Sequence, residues 1–318
     1  MTQKLRFYCS IWLLGTVLST QMIHAQARDI ELDYTRKDDN SVEISYKKKV
    51  PGSYYLRVYF PKLENAYQTI YEGTVRSNSG ILMTLRPVNS DKGISFSSSY
   101  SYIQGVPNPE IDYSIHYALP FKNNKKVKIL EASYLGETYY GGKKPKNWKS
   151  FLVYSKKADT VCSMRKGLVV KVVNKYGRNI DFQKEYSSER NRVIIEHDDG
   201  TCAVYKGFER NSIFVKPGQT VYPHTALGSM EMLNEESYQL SFTVYYLKNP
   251  DLIEKEKKNL RDYSGSSICV DPNFYTADGP QHLKSGNVYV SVFDDSVLFQ
   301  ELSKRQIKKY KKNPSLFQ

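Results

Sequence analysis

Apolar and polar residues alternate along much of the chain between residue 28 and about residue 120. The alternation is regular from Ser41 to Tyr46, and it recurs at every second position from Tyr54 to Phe60. A period of two residues is typical of β-strands that bury one face. Pro51-Gly52 predicts a turn between these two strands, and by the same rules further strands are predicted over residues 81–85, 94–102 and 113–117.

Several short strands without intervening helices indicate a small antiparallel sandwich. We expect an immunoglobulin-like β-sandwich over residues 26–140. The Cys-Trp-Cys pattern in the core of true immunoglobulin domains is absent, so the strand topology stays open. Tyrosines such as Tyr100, Tyr102 and Tyr113 are interpreted as half-buried packing residues in preference to a sugar-stacking surface.

A second β-rich segment runs from Asp159 to Val244, and its turns are predicted at Asp199-Gly200 and at residues 216–219. Beyond residue 247 the pattern predicts a charged helix over 252–260, strands over 268–274 and 287–293, and a helix over 296–312. The fold class is therefore mainly β. We assign a second β domain to residues 141–248 and a C-terminal α/β extension with short helices to residues 249–318.

The final predicted helix has an apolar stripe at Leu298, Phe299 and Leu302, which is expected to pack on the protein. Residues 304–312 are strongly basic and only weakly amphipathic. We interpret them as a solvated end with some affinity for anions in preference to a membrane helix.

The first 25 residues have the composition of a secretory signal peptide. Lys4 and Arg6 precede an apolar run over residues 11–18, and Ala25-Gln26-Ala27 provides a small-residue cleavage site. The run is too short to span a bilayer, and no later stretch approaches that length. Cys9 lies before or within the apolar run, which does not favour a lipoprotein anchor. We expect an exported protein, in the periplasm or at the cell surface.

The charge balance bears on possible partners. The chain has 46 Lys and Arg residues against 33 Asp and Glu residues, a formal net charge of +13 at pH 7. Because an exported protein rarely meets nucleic acid, that partner is not expected. The charge favours either an anionic glycan, lipopolysaccharide or membrane surface, or simply a well-solvated surface.

Three cysteines remain after removal of the signal peptide: Cys162, Cys202 and Cys269. An odd number excludes a complete intramolecular disulfide framework. Cys162 and Cys202 both lie on predicted core strands, so a disulfide between them and two buried free thiols both stay open.

The second β-rich segment carries a series of motifs. They are DTVCSMRKGLVV near its start, VIIEHDDG and AVYKGF around residues 193–208, VKPGQTVYPHTALG over 215–228, and YQLSFTV from residue 238. This succession resembles the core of the LytM-type, M23-family peptidoglycan endopeptidases. The resemblance covers about a third of the chain, and it implies a LytM/M23-like β-roll of the duplicated-hybrid-motif type.

The zinc-binding residues of that family are not matched. The resemblance implies a His and an Asp upstream of the first strand, the last His of an H-x-H motif, and a further His in Y-x-H that assists catalysis. Here Gly207 stands at the His of Y-x-H, and Gln239 and Ser241 stand at the histidines of H-x-H. If the sequence is aligned to the family motif without gaps, the positions of the upstream His and Asp fall near Trp148 and Leu152. We therefore expect no metal, no cofactor and no catalytic residue.

His197 occupies a position where the family has a histidine that is not a zinc ligand, and we interpret it as a hydrogen-bonded residue at a strand end. A relocated metal site that uses His197, His224 and Asp198 stays open. No G-x-S-x-G, H-E-x-x-H or nucleotide-binding fingerprint is present.

The resemblance implies an exported, non-catalytic pseudo-peptidase that binds peptidoglycan or a cell-wall hydrolase. Two alternatives are an active zinc metalloendopeptidase of peptidoglycan with displaced ligands, and a structural envelope protein in which the roll is a spacer. For the first hypothesis, the binding groove is expected to consist of the residues at and around the vacant zinc positions: Tyr205, Lys206, Gly207, Gln239, Ser241 and His197.

Overall fold

The computed structural model of the chain describes residues 29–132, 148–177, 189–248 and 267–317. These residues form twenty-two β-strands, two α-helices and one 3-10 helix, so the fold is mainly β, as the alternation predicts. The predicted signal peptide, the lysine-rich segment 141–147 and the predicted helix over 252–260 lie outside the described residues. Among the helices of the described part, none has the length and apolar character needed to cross a membrane.

The N-terminal part is a β-sandwich of two antiparallel three-stranded sheets, with strand orders β1-β2-β5 and β4-β3-β6. Its strands are β1 (Ile30–Arg36), β2 (Val42–Lys48), β3 (Tyr54–Glu64), β4 (Ile70–Val75), β5 (Ser79–Leu85) and β6 (Ser95–Gln104). The predicted alternation is confirmed, because Ile44, Leu56 and Val58 are fully buried in one cluster between the sheets. The immunoglobulin-like topology stays a prediction, since these six strands do not complete the seven-strand arrangement.

The second part is built around an eleven-stranded sheet. The strands of this part are β7 (His116–Ala118), β8 (Lys126–Lys128), β9 (Leu130–Glu131), β10 (Phe151–Ser155), β11 (Thr160–Cys162), β12 (Gly167–Val173), β13 (Arg192–Glu196), β14 (Cys202–Lys206), β15 (Phe208–Ile213), β16 (Thr220–Val221), β17 (Ala226–Asn234), β18 (Ser237–Leu247), β19 (Ser267–Val270), β20 (Asn273–Thr276), β21 (Gly279–Gln281) and β22 (Val288–Val290). Strands β9 to β19 form the eleven-stranded sheet, and the other five form two smaller sheets, β21-β20-β7 and β22-β8. The helices α1 (Asp295–Phe299) and α2 (Lys304–Lys312) and a 3-10 helix (Pro314–Phe317) follow.

Strand β18 is the centre of this sheet. Along one edge it pairs with β14 and β17, and along the other with β10 and β19, always antiparallel. Because side chains alternate along a strand, Leu240 and Phe242 enter the core, whereas Gln239, Ser241 and Thr243 point to the opposite side. We call that opposite side the outer face.

The core of this second part extends beyond the predicted limits of 141–248. Leu119, Phe121 and Ile129 before the segment, and Phe274 and Tyr289 after it, belong to the same buried cluster as the central sheet. The divisions predicted at residues 140 and 248 therefore do not separate the cores. Periodicity identifies a short strand, but it contains no information about which distant strand pairs with it.

The predicted single helix over residues 296–312 is two helices. The backbone N–H of Gln306 donates to the Ser303 hydroxyl at 3.3 Å, and the Gln306 side chain accepts from the Ser303 N–H at 2.9 Å. This capping box starts a new helix at Lys304. Buried Leu298, Leu302 and Phe317 hold the two helices on the body of the protein.

The two parts meet at Glu196, the last residue of β13. Its carboxylate accepts hydrogen bonds from the Ser53 N–H at 2.8 Å and from the Ser53 hydroxyl. Gly52 packs against Val170 with a φ of +93°, and the contact leaves no room for a side chain there. Glu196 is only 6% exposed, so these hydrogen bonds offset the cost of burying its charge.

We predict that Glu196→Ala lowers the free energy of unfolding by about 2–4 kcal/mol, because the Ser53 donors lose their acceptor inside the contact. Urea unfolding measures the change. The matched control is Glu43→Ala, which breaks a partly exposed pair with Lys37 and is expected to cost less than about 1 kcal/mol. Equal losses in the two variants would contradict this role of Glu196.

Candidate functional site

Ser241 lies in the middle of a row of side chains across the outer face. In the register of the sheet it is opposite Lys206 of β14 on one side and Leu152 of β10 on the other. Arg192 of β13 comes next to Lys206. Lys206 is exposed, and the other three residues are half-buried. The structure thus places Lys206 and Ser241 side by side on adjacent strands, and their role as parts of a binding groove stays a prediction.

Gln239 lies on the same face, and its amide group is bound at both ends. Its Oε1 accepts a hydrogen bond from Arg190 Nη1 at 2.6 Å, and its Nε2 donates to the Tyr154 hydroxyl at 2.8 Å. Its backbone carbonyl accepts from Arg190 Nη2 at 3.1 Å. Gln239 is buried, and protein groups hold its side chain in place.

The guanidinium group of Arg190 occupies the space between Gln239 and Gly207. Its Nε donates to Glu231 Oε2 at 3.0 Å, in an ion pair whose side chains are 15% and 10% exposed. Gly207 has a φ of +103°, and a Cβ at this position would overlap both Arg190 Nη2 and the Gln239 carbonyl oxygen. A histidine at position 207 is therefore incompatible with this position of the guanidinium.

Among the described residues of the outer face, some charged residues have a partner of opposite charge, and others do not. Burial raises the pKa of Glu231, and Arg190 partly offsets that shift. Desolvation by the sheet lowers the pKa of Lys206, and the positive charges of Arg192 and Arg190 lower it further. In the described part of the chain, neither Lys206 nor Arg192 is paired with a carboxylate. Two opposed cations of this kind repel each other and attract anions.

Tyr205 does not line the outer face, contrary to the expectation that it forms the rim of a groove. It is fully buried in the core, and its hydroxyl accepts a hydrogen bond from the Met164 N–H at 2.8 Å. Burial raises the pKa of this hydroxyl. The physical reason is that consecutive residues of a strand face opposite sides of the sheet, so Tyr205 and Lys206 cannot share one face.

His197 is also separate from the outer-face residues. It follows β13 at the end opposite to Arg190, roughly 20 Å away along an extended chain. Its side chain is buried, and Nδ1 lies 2.8 Å from the Thr201 hydroxyl, which itself donates to Asp199. Nδ1 is therefore the protonated nitrogen that donates to Thr201, and Nε2 has no hydrogen-bond partner among the residues that the structure describes.

A buried ionic cluster surrounds His197. Arg165 pairs with Asp199 at 2.7 Å and with Glu301 at 2.9 Å, and it donates to the Tyr117 hydroxyl at 2.8 Å. Burial opposes ionisation of Asp199, but Arg165 holds its pKa below the ordinary value. Burial, followed by the charge of Arg165, lowers the pKa of His197 well below its ordinary value. The cluster ties β7 and the turn after helix α1 to the sheet and leaves His197 neutral.

The cysteines and the remaining histidine are not brought into a common site. Cys162 and Cys202 are buried free thiols, and the order β11-β17-β18-β14 places two strands between them, too far for a disulfide. Burial raises the pKa of Cys162 to about 12. His224 Nε2 lies 3.1 Å from the Val292 carbonyl oxygen. Within the described ranges, no three His, Cys, Asp or Glu side chains are grouped to hold a metal.

Motif and periodicity reasoning missed Arg190, Glu231 and Arg165. Their signals in the sequence are ordinary, because each is a single charged residue at a position that no motif singles out. Arg190 and Glu231 are 41 positions apart, and only the pairing of the strands brings them into contact.

No protein-family model matches the chain, and no curated protein matches it. Among solved structures, it is similar to the M23 metalloprotease pseudoalterin from the deep sea, with 12% identity over 57% of this chain and 97% of the other and a TM-score of 0.31. It is also similar to Csd3 from Helicobacter pylori, with 13% identity over 90% and 77% of the two chains and a TM-score of 0.30. It is similar as well to a putative M23 peptidase from Pseudomonas aeruginosa, with 12% identity over 61% of this chain and 88% of the other and a TM-score of 0.25.

Two of these structures are named as M23 proteins, the family that the motifs of this chain resemble. With such TM-scores and identities, neither the activity nor the site residues of these proteins transfer to this chain. The function must be argued from its own side chains.

We predict that Arg190→Ala lowers the free energy of unfolding by about 3–5 kcal/mol, because Glu231 becomes an unpaired buried carboxylate. In the double variant Arg190→Ala/Glu231→Ala, the loss of unfolding free energy should be smaller than the sum of the losses in the two single variants. A double-mutant cycle by urea unfolding measures this coupling. Lys37→Ala, in a partly exposed pair, is the control. Additive losses would show that the pair does not act as a unit.

The lowered pKa of His197 predicts how the free energy of unfolding depends on pH. Since its folded-state pKa lies below 6.5, the unfolded chain binds more protons as the pH falls through that range. The free energy of unfolding should therefore decrease from pH 7 towards pH 5, by up to about 1.4 kcal/mol per pH unit from this group. Burial lowers the pKa of His224 and adds to the decrease, whereas the raised pKa of Glu231 and Glu301 opposes it near pH 5.

Urea unfolding at several pH values tests this prediction. His197→Asn keeps a donor for Thr201 but does not titrate, so its stability should depend less steeply on pH than that of the parent protein. His282→Asn, at a mostly exposed imidazole, is the matched control. If the unfolding free energy of His197→Asn depends on pH as steeply as that of the parent protein, the neutral, buried imidazole of His197 does not cause the pH dependence.

Proposed function

We propose that this chain is an exported, non-catalytic M23-like protein that binds peptidoglycan or a cell-wall hydrolase in the bacterial envelope. The binding surface is the outer face of the central sheet. The observation that carries the proposal is the largely buried Arg190–Glu231 ion pair, with side chains 15% and 10% exposed, which with Gln239 fills the space beside Gly207.

The positions that the motifs assign to zinc chemistry lack suitable donor atoms. A catalytic zinc needs three protein ligands and one open position for water. Gly207 and Leu152 have no ligating side-chain atom, and Leu152 lies directly opposite Ser241 in the sheet. The amide of Gln239 is bound by protein groups. The guanidinium of Arg190 adds a fixed positive charge that would repel a metal cation.

The same face has chemistry suited to binding. Lys206 and Arg192 present two cations without a carboxylate partner in the described residues, and charged donors of this kind form strong hydrogen bonds with carboxylates. The peptide stems of peptidoglycan carry carboxylates, and so do the acidic side chains of a protein partner. Tyr154, which is 44% exposed, adds an amphipathic ring beside them.

The test combines metal content, cleavage and binding. For the purified mature protein we expect no stoichiometric zinc by elemental analysis after dialysis, no cleavage of isolated sacculi, and co-sedimentation with sacculi or retention of an envelope hydrolase. One tightly bound zinc with cleavage would support the metalloendopeptidase alternative. Binding to neither sacculi nor a hydrolase would support the structural alternative.

Charge reversal on the outer face tests where binding occurs. We predict that Arg192→Glu/Lys206→Glu weakens binding by at least about tenfold, because two attractive charges become repulsive. Lys47→Glu/Lys62→Glu, at exposed positions of the N-terminal sandwich, changes the net charge equally and is the matched control. Binding that weakens equally in both variants would place the contact elsewhere. Circular dichroism verifies that both variants fold.

A further inference from the structure

Helix α2 presents a dense set of positive charges on one side. Six of its nine residues are cationic, and all six are exposed. At 100° per residue they cover an arc of about 160° and extend for about 12 Å along the helix axis. We call this surface the basic ridge, and its residues are Lys304, Arg305, Lys308, Lys309, Lys311 and Lys312.

The opposite side of α2 is fixed to the protein. The ring of Tyr310 lies 5.4 Å from that of Phe299 and 5.8 Å from that of Phe317, centroid to centroid. The Tyr310 hydroxyl donates to Asp295 at 2.8 Å, and Ile307 packs against the same cluster. The apolar side of the helix is therefore occupied, and it is not available to insert into a lipid bilayer.

The charge of the ridge is not balanced by the residues that the structure describes. In the described part of the chain none of its six cations is ion-paired. The nearby acidic groups are engaged elsewhere: Asp295 accepts from Tyr310, and Glu301 pairs with Arg165. Like charges at this spacing repel one another along a helix, and an external anion would relieve that repulsion.

We propose that the basic ridge docks the protein peripherally on a membrane surface rich in anionic phospholipid headgroups. The ridge is broad and convex, which suits a two-dimensional array of phosphates better than a single polymer strand. It carries no exposed aromatic ring on which a sugar or base would stack. Leu316, 55% exposed, lies in the 3-10 helix that follows α2. This surface is distinct from the outer face and does not depend on its function.

Vesicle co-sedimentation of the full mature chain tests the proposal. Vesicles of phosphatidylcholine with about 30 mol % phosphatidylglycerol provide the anionic surface, and pure phosphatidylcholine the neutral one. We expect at least about tenfold stronger partitioning onto the anionic vesicles in about 0.1 M salt, and loss of that preference in about 0.5 M salt.

A matched pair of variants locates the contact. Lys308, Lys309, Lys311 and Lys312 changed together to Gln should lower partitioning by at least about 100-fold, whereas helix propensity is nearly unchanged. The control changes four exposed lysines elsewhere to Gln, with the same loss of net charge: Lys47, Lys62, Lys92 and Lys216. It should stay within about threefold of the parent protein.

Three outcomes would overturn the proposal. Equal losses in the two quadruple variants would mean that net charge alone drives binding. Equal partitioning onto neutral and anionic vesicles would remove the electrostatic basis. Retention on immobilised inorganic polyphosphate without binding to vesicles would assign the ridge to a linear polyanion. Circular dichroism of each variant establishes that the ridge, and not the fold, has changed.

Discussion

Strand β18 is hydrogen-bonded along both edges, and the rest of the second part depends on this arrangement. It joins β10, β14, β17 and β19, which come from distant places in the sequence. A shift of one residue in its register would move Phe242 out of the core and Ser241 into it. Core packing therefore determines which side chains the outer face presents, and so which chemistry is available there.

The outer face is organised by a charged pair beside Gly207. A buried ion pair is stable only where its geometry and hydrogen bonds compensate for desolvation. Arg190 meets this condition through Glu231, the Gln239 side chain and the Gln239 carbonyl group. The missing side chain of Gly207 provides the room. Arg190 balances the charge of Glu231 within the protein, whereas Lys206 has no carboxylate partner among the described residues.

The positive charge of the chain is distributed among surfaces with different properties. Some lysines have a carboxylate partner within the protein, such as Lys125 with Asp159. Others, on the outer face and on the basic ridge, have none in the described residues. The two surfaces are carried by different elements, a sheet and a terminal helix. The two binding roles proposed above therefore use different surfaces of the protein.

The local pattern of the sequence was enough for the mainly β class and for the strands around Ile44 and Leu56. It also located Gly207, Gln239 and Ser241 at the motif positions where the family that the chain resembles has histidines. These are properties of neighbouring residues, and periodicity and motif spacing report them directly. Only the tertiary structure decided the extent of each core, the side of the sheet on which Tyr205 is buried, and the contact of Arg190 with Glu231. These depend on which distant strands pair and in which register, and local sequence does not encode that choice.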